Sequence, residues 1–278
     1  MKTFHVMTNA DKDQGSGITN RIVAYLSKQG CTCSSEVLQR DVFDANYKLP
    51  QGTDCVIVAG GDGTMIQAAD LVGGNVPIIG VNLGTLGFLA EIEVEHLEEM
   101  LDRLIADDFE IEERMMLTGE CETKLHALND IVISRSGSLK ILNLEIYVND
   151  LLLGVYTADG MIVSTPTGST AYNLSAGGPI VEPGAKTILL SPICPHNLNS
   201  RAIVLSADDV IRIRIGESRY TGEENAAATF DGCRKIAMKS GDSITIRRSF
   251  ISTKLIKLNH ESFLKILSAK LGAKADRL

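Results

Sequence analysis

Residues Cys55–Gly60 read CVIVAG, six residues without a charged or amide side chain, and the chain then breaks into Gly61-Asp62-Gly63-Thr64. An apolar run that does not alternate with polar residues is the pattern of a strand covered on both faces, as in parallel sheets flanked by helices. The surrounding segments agree. FHVMTN and VPIIGVN read as further strands, and SGITNRIVAYLSKQG and TMIQAADLVGG as helices. VEHLEEMLDRLIADDF is a third helix, with Leu97, Leu101, Leu104 and Ile105 at helical spacing. Strand and helix in alternation predict an α/β fold with a parallel sheet.

After about Glu112 the period changes to two. NLEIYVND alternates Leu144, Ile146 and Val148 with polar neighbours and ends in an Asn149-Asp150 turn. DDVIRIRIG sets Ile211, Ile213 and Ile215 against Arg212 and Arg214, and DSITIRRS repeats the pattern with Ile244 and Ile246. Strands with few helices between them predict an antiparallel second domain. HESFLKILSAKLGA then forms a closing helix, with Phe263, Leu264, Leu267 and Leu271 expected on one face.

At 278 residues the chain is long enough for one large or two moderate domains. A net charge of −8 argues against a nucleic-acid or polybasic membrane-surface protein, and leaves room for a locally positive pocket. The N-terminus has no signal-peptide pattern, and no apolar stretch reaches the roughly 20 residues of a membrane span. The six cysteines, Cys31, Cys33, Cys55, Cys121, Cys194 and Cys233, lack zinc-site spacing and read as reduced thiols of a cytoplasmic protein.

Asp62, set among glycines at a strand's end, admits two readings. In the first it sits in a tight turn and caps a helix starting near Thr64. In the second, glycines adopting conformations closed to other residues cradle phosphate oxygens. Asp62 then either holds magnesium or takes a proton from a hydroxyl attacking phosphorus. A Walker-type P-loop is absent, because the sequence has no Gly-Lys pair. GSGITN has Asn20 where a dinucleotide fingerprint needs its third glycine, and reads as a helix start. A second stretch, DGMIVSTPTGSTAYNLSAGGPIVEPG from Asp159 to Gly184, begins as a strand and becomes dense in Gly, Ser, Thr and Pro. Its hydroxyls and freed amides suit ribose and phosphate, Tyr172 can stack on a base, and long irregular segments in compact domains usually carry function.

Together GGDGT and TPTGSTAYNLSAGGP resemble the NAD kinases, both the ATP-NAD kinases and those using inorganic polyphosphate or ATP. VNLGTLGFLAEI, ALNDIVISR, SPICPHNLNSRAIVL and TFDGC fall in the family's order. The resemblance implies an α/β domain over residues 1–111 plus 253–278, carrying GGDGT, and a β-rich, sandwich-like NAD-binding domain over residues 112–252. The last helix would return to the first domain. The implied reaction moves a phosphoryl group from ATP, or another donor, to the 2′-hydroxyl of the adenosine ribose of NAD, giving NADP. It implies Mg2+ or another divalent cation, and a homodimer or homotetramer with sites where subunits meet.

By the same match Asp62 is the catalytic base, with Gly63 beside it, and Phe88 is an aromatic near the adenosine. Asn129 and Asp130 are the Asn-acid pair on NAD, the acid being shorter here than the Glu of many relatives. Asp159 points to the nicotinamide end, and Thr170, Ala171, Tyr172 and Ser175 line the adenine and ribose. Lys140 and Thr157 correspond to positions near the ligand, and Asp231 to an acid near a neighbouring subunit's site. No metal ligand is assigned, and His196 and Arg201 lie in a matched segment without a role. A kinase of another hydroxyl substrate, lipid or sugar, shares the G-G-D-G-T turn. A dinucleotide-binding sensor without turnover would share the pocket.

Overall fold

The computed structural model describes residues 1–39, 47–84, 87–136, 141–196, 200–217, 225–259 and 262–272. The chain folds into two compact units, Met1–Glu113 with Thr253–Leu278, and Arg114–Ser252.

The first unit opens with β1 (Thr3–Asn9), α1 (Gly17–Lys28) and β2 (Thr32–Leu38). It continues through β3 (Cys55–Gly60), α2 (Asp62–Val72), β4 (Ile78–Asn82), β5 (Ala90–Glu93) and α3 (Leu97–Ile105). The strands pair in parallel in the order β2-β1-β3-β4, with β5 also on β4. Every residue of β3 is buried, as a run without alternation requires. Ile22 and Leu26 of α1, and Leu97, Leu101 and Leu104 of α3, close over Phe4, Ile57 and Val81 of the sheet. β2 has no counterpart in the expected elements. Its sequence, TCSSEVL, lies at the sheet edge with most side chains exposed, so no apolar period marks it.

The second unit holds β6 (Glu110–Glu120), whose first residues belong to the first unit, then β7 (Lys124–Ala127) and β8 (Asp130–Arg135). There follow β9 (Leu142–Val148), β10 (Leu151–Ala158), β11 (Gly160–Ser164) and the one-turn α4 (Tyr172–Ser175). β12 (Thr187–Ile193), β13 (Ile203–Ser206), β14 (Ile211–Ile215), β15 (Asn225–Phe230) and β16 (Arg234–Lys239) come next. The long β17 (Ser243–Lys257) gives its first part to this unit. One antiparallel sheet runs β13-β12-β11-β8-β15-β16, and a second set runs β10-β9-β14-β17. The alternating isoleucines explain how these meet. Ile211, Ile213 and Ile215 of β14 share one core with Leu144 and Ile146, with Ile244 and Ile246, and with Ile131, Ile133, Met161 and Val163 of the first sheet. Asn149 and Asp150 both take left-handed backbone, with φ of 49° and 66°, as a two-residue hairpin between β9 and β10 demands.

The end of β17 returns to the first unit, where Leu255 pairs in parallel with Ile78 of β4. α5 (Phe263–Lys270) follows, capped by Ser262, whose Oγ accepts from Lys265 N at 3.3 Å. Its inward face differs from the expected one. Leu264 and Leu271 are 70% and 62% exposed, while Phe263, Ile266 and Leu267 are half-buried. Helical period alone allowed either stripe; Phe88 selects the one that carries Phe263 and Lys270.

Candidate functional site

At the end of β3 the backbone turns through Gly61, in extended geometry (φ −124°, ψ −170°), and α2 begins at Asp62 itself. This corrects the capping reading: Asp62 is the first residue of the helix rather than its cap, and no side chain caps it. The Asp62 carboxylate reaches instead to the segment after β4. Oδ2 accepts Phe88 N at 2.9 Å and Oδ1 accepts Leu89 N at 3.1 Å. A side chain at residue 87 would collide with Asp62 Oδ1, so Gly87 is what lets the two segments meet. An ionised carboxylate has about four acceptor positions, so two amides leave room for a hydroxyl donor. Asp62 is half-buried and Gly63 beside it is exposed.

Gly60 and Gly61 serve by close approach, to Thr64 and to Lys12 Nζ, while a side chain at residue 63 would meet nothing within 4 Å. None of Gly60, Gly61 and Gly63 has positive φ, which corrects the expectation of unusual backbone conformations. Thr64 Oγ1 accepts Asn9 Nδ2 at 3.3 Å, fastening the loop after β1 to the first turn of α2. Phe88 gives its amide to Asp62 and its ring to α5, with the Phe263 centroid 6.0 Å away and Lys270 Nζ 4.5 Å from the ring centre.

In the second unit Asn129 and Asp130 stand at the start of β8. The amides of Leu128, Asn129 and Asp130 all donate to the Asp231 carboxylate, at 2.7, 2.7 and 3.0 Å. Asp231 takes left-handed backbone (φ 48°) in the turn between β15 and β16, and its own amide donates to Asp130 O at 3.0 Å. The Asp130 side chain is buried. Burial, reinforced by the negative charge of Asp231, pushes its carboxyl up to about 7.

The segment after β11 is laced to the same place. Thr165 N donates to Asn129 O at 2.8 Å, and Thr165 Oγ1 to Leu128 O at 2.6 Å. Asn173, fully buried, folds this loop back: Nδ2 donates to Ser169 O and Pro179 O at 3.0 Å, and Oδ1 accepts Ser191 Oγ at 2.7 Å. A cavity of about 410 Å³ opens here, lined by Asn129, Asp130, Ala171, Tyr172, Asp231 and Lys235. Tyr172, which lines it, is 45% exposed. Thr170 Oγ1 lies 3.5 Å from Thr167 O, and Ser175 is exposed at the end of α4.

Five of the expected residues of this unit thus meet at one cavity, while Thr157, Asp159, Thr170 and Ser175 do not line it. Thr157 Oγ1 donates to Asn143 Oδ1 at 3.1 Å, and Asp159 faces Arg135 Nη2 at 3.5 Å. Ser134, on the same strand as Asp130, also lines the cavity and pairs with Gly160, so Asp159 stands one residue beyond the cavity's Ser134 end. Lys140 lies outside the described residues. Sequence reasoning missed Asn173 and Lys235. An amide inside a run of small residues was the available signal for the first, and a lysine on an alternating strand gave none for the second. Among the described residues no group of three His, Cys, Asp or Glu is arranged to hold a metal ion, and no helix is long and apolar enough to cross a membrane.

Residues 17–109 match the family model of the ATP-NAD kinase N-terminal domain, and residues 128–258 that of the ATP-NAD kinase C-terminal domain. The chain is 46% identical to the NAD kinase of Agathobacter rectalis, over 98% of this chain and 99% of that protein. It is 42% identical to the NAD kinase of Lachnoclostridium phytofermentans, over 99% and 100%. Among solved structures it is similar to yeast NADH kinase complexed with NADH, with a TM-score of 0.87, 25% identity, and coverage of 100% of this chain and 89% of the yeast one. The fold is shared with an NAD kinase from Archaeoglobus fulgidus in complex with ATP, with a TM-score of 0.78, 24% identity and 97% of each chain covered.

Proposed function

The chain belongs to the NAD kinase family, and on that premise we propose that it phosphorylates NAD to NADP with Asp62 taking the proton of the reacting hydroxyl. ATP is the donor and the 2′-hydroxyl of the adenosine ribose the acceptor. The observation that carries the role of Asp62 is its carboxylate, fixed by the Phe88 and Leu89 amides with acceptor positions to spare. As the ribose oxygen bonds to the terminal phosphorus, the bond from that phosphorus to the ADP oxygen breaks and the hydroxyl proton passes to Asp62. A fixed carboxylate aligns the hydroxyl, and alignment supplies much of the rate in phosphoryl transfer.

NAD binding falls to the second unit. Asn129, Asp130 and Ala171 line the cavity, Tyr172 stacks on the adenine, and Thr170 and Ser175 flank it. Asp231 acts beneath them by holding the Leu128–Asp130 backbone. Gly63 leaves the space beside Asp62 open, and Phe88 borders the adenosine. Asp159, beside the Ser134 end of the cavity, serves the nicotinamide end, and a homodimer or homotetramer is the assembly the family resemblance implies. Functionally, residues 1–111 with 253–278 form the domain carrying GGDGT, and residues 112–252 the NAD-binding domain. Magnesium enters as Mg-ATP, where it neutralises phosphate charge. A cation of this kind takes one or two carboxylates plus substrate phosphates, so it needs no cage of three acids. Six free thiols are in keeping with a cytoplasmic location.

The test is NADP formation by the purified protein from NAD and Mg-ATP, read with an NADP-specific dehydrogenase and repeated with polyphosphate as donor and NADH as acceptor. NADP appearing in step with ADP is expected. Tight NAD binding without NADP, or ADP release only with a lipid or sugar acceptor, would overturn the reading.

A further inference from the structure

The strand order β2-β1-β3-β4 sets the switch point of the parallel sheet between β1 and β3. Open α/β sheets leave a crevice there, outside the carboxyl ends of the strands. The loop after β1 borders that crevice and is firmly held. Lys12 N and Asp13 N donate to Asn9 O at 3.1 and 3.0 Å, and Asp11 N to Asn9 Oδ1 at 2.9 Å. Asn9 Nδ2 in turn reaches Thr64. Asp13 is engaged with α1, accepting Ile18 N and Thr19 N, both at 2.9 Å.

Lys12, between two acids in the sequence, is exposed, and its ammonium lies close to two glycines. A Cβ built on Gly61 would lie 2.6 Å from Lys12 Nζ, and one on Gly84 3.2 Å from it. The ammonium therefore rests over the turns that follow β3 and β4, one of which leads into α2. Glycine at both positions is what lets it lie there. Among the described residues no carboxylate pairs with Lys12. The chain lacks any Gly-Lys pair, so no lysine is carried by the glycine turn itself.

We propose that Lys12 supplies the cation that binds the phosphates of ATP over the Gly61 and Gly84 turns. The inference rests on the phosphoryl-transfer reading above and names the donor subsite of that same site. A triphosphate carries more negative charge than the pyrophosphate diester of NAD, so an ammonium above glycine amides at a helix start favours the donor.

The test compares wild type with Lys12→Met and Lys12→Arg in the full-length enzyme, varying ATP and NAD separately. Lys12→Met should raise KM for ATP by about tenfold or more, as expected for loss of a charge-assisted hydrogen bond. KM for NAD should stay within about twofold, and the thermal midpoint should not move. Lys12→Arg should recover most of the loss, and Lys28→Met, on the exposed end of α1, should change nothing. The proposal is overturned if Lys12→Met leaves KM for ATP and kcat as in wild type. It is equally overturned if KM for NAD rises instead, or if the loss comes with a fall in thermal midpoint that arginine does not reverse. Should wild type make no NADP, calorimetric titration with ATP still decides. Weaker ATP binding in Lys12→Met then supports the phosphate site even though the NAD kinase reading has failed, and equal binding removes it.

Discussion

Two carboxylates in this molecule hold neighbouring backbone, and they leave different amounts of themselves free. Asp62 takes one amide on each oxygen, from Phe88 and Leu89. Asp231 takes three, from Leu128, Asn129 and Asp130, and its backbone is in left-handed geometry to do so. The first is held in place with capacity to accept a substrate hydroxyl; the second is committed to shaping the segment whose side chains line a cavity. An acid in a short glycine-containing motif is therefore either a reagent or a scaffold, and the acceptor positions left over distinguish the two.

The comparison is most exposed to Asp62→Asn. The amide keeps a similar shape but takes up a proton poorly, so kcat should fall by roughly 10²- to 10⁴-fold in a steady-state assay of NADP formation. Asp231→Ala should act on structure instead. Losing charge-assisted bonds to three amides should lower stability by about 2–4 kcal/mol in denaturant unfolding and weaken NAD binding, with kcat at saturation within several-fold of wild type. If Asp231→Ala keeps its stability and loses turnover as deeply as Asp62→Asn, the two acids do the same work.

Asp130 sharpens the comparison through pH. Its carboxyl is raised from 3.8 to about 7, so the folded chain holds its proton more tightly than the unfolded chain does. The resulting stabilisation is complete below 3.8 and is lost as pH rises through about 7. Relative to Asp130→Asn, wild type should therefore lose stability across that window, by a few kcal/mol at most, and the difference should level off above it. A difference that does not change with pH would show that the buried acid is not linked to folding. The smallest effect is expected at Tyr172. Tyr172→Ala should cost about 1–3 kcal/mol of NAD affinity, the usual worth of a base stacked on an aromatic ring, with little change in kcat. Unchanged affinity would take Tyr172 out of the cavity's role.

The frame was legible where burial leaves a period. CVIVAG announced a doubly covered strand, and the alternating isoleucines of β14 and β17 announced the second unit's core. β2 was not, because an exposed edge strand carries no apolar rhythm. Nor was the inward face of α5, since the choice between two stripes is made by Phe88, far away in sequence. The same limit applied at the site. Local chemistry offered Asp62 as a helix cap, and only contact with residues 26 and 27 positions later showed where its oxygens go. Asp231 is separated by about a hundred residues from the backbone it holds, a relation that spacing does not encode. The family motifs named Asp159 beside Asn129 and Asp130, but motifs carry no contacts, and only the pairing of Ser134 with Gly160 shows that Asp159 adjoins the end of β8 away from Asp130.

The most direct test of the division of labour is the rate of phosphoryl transfer in a single turnover, with enzyme in excess over NAD and saturating Mg-ATP, measured for wild type and Asp62→Asn beside calorimetric NAD binding. With Asp62 as the reagent, transfer slows by at least about 100-fold while Kd stays within about threefold. Transfer at the wild-type rate, with only the affinity reduced, would contradict it.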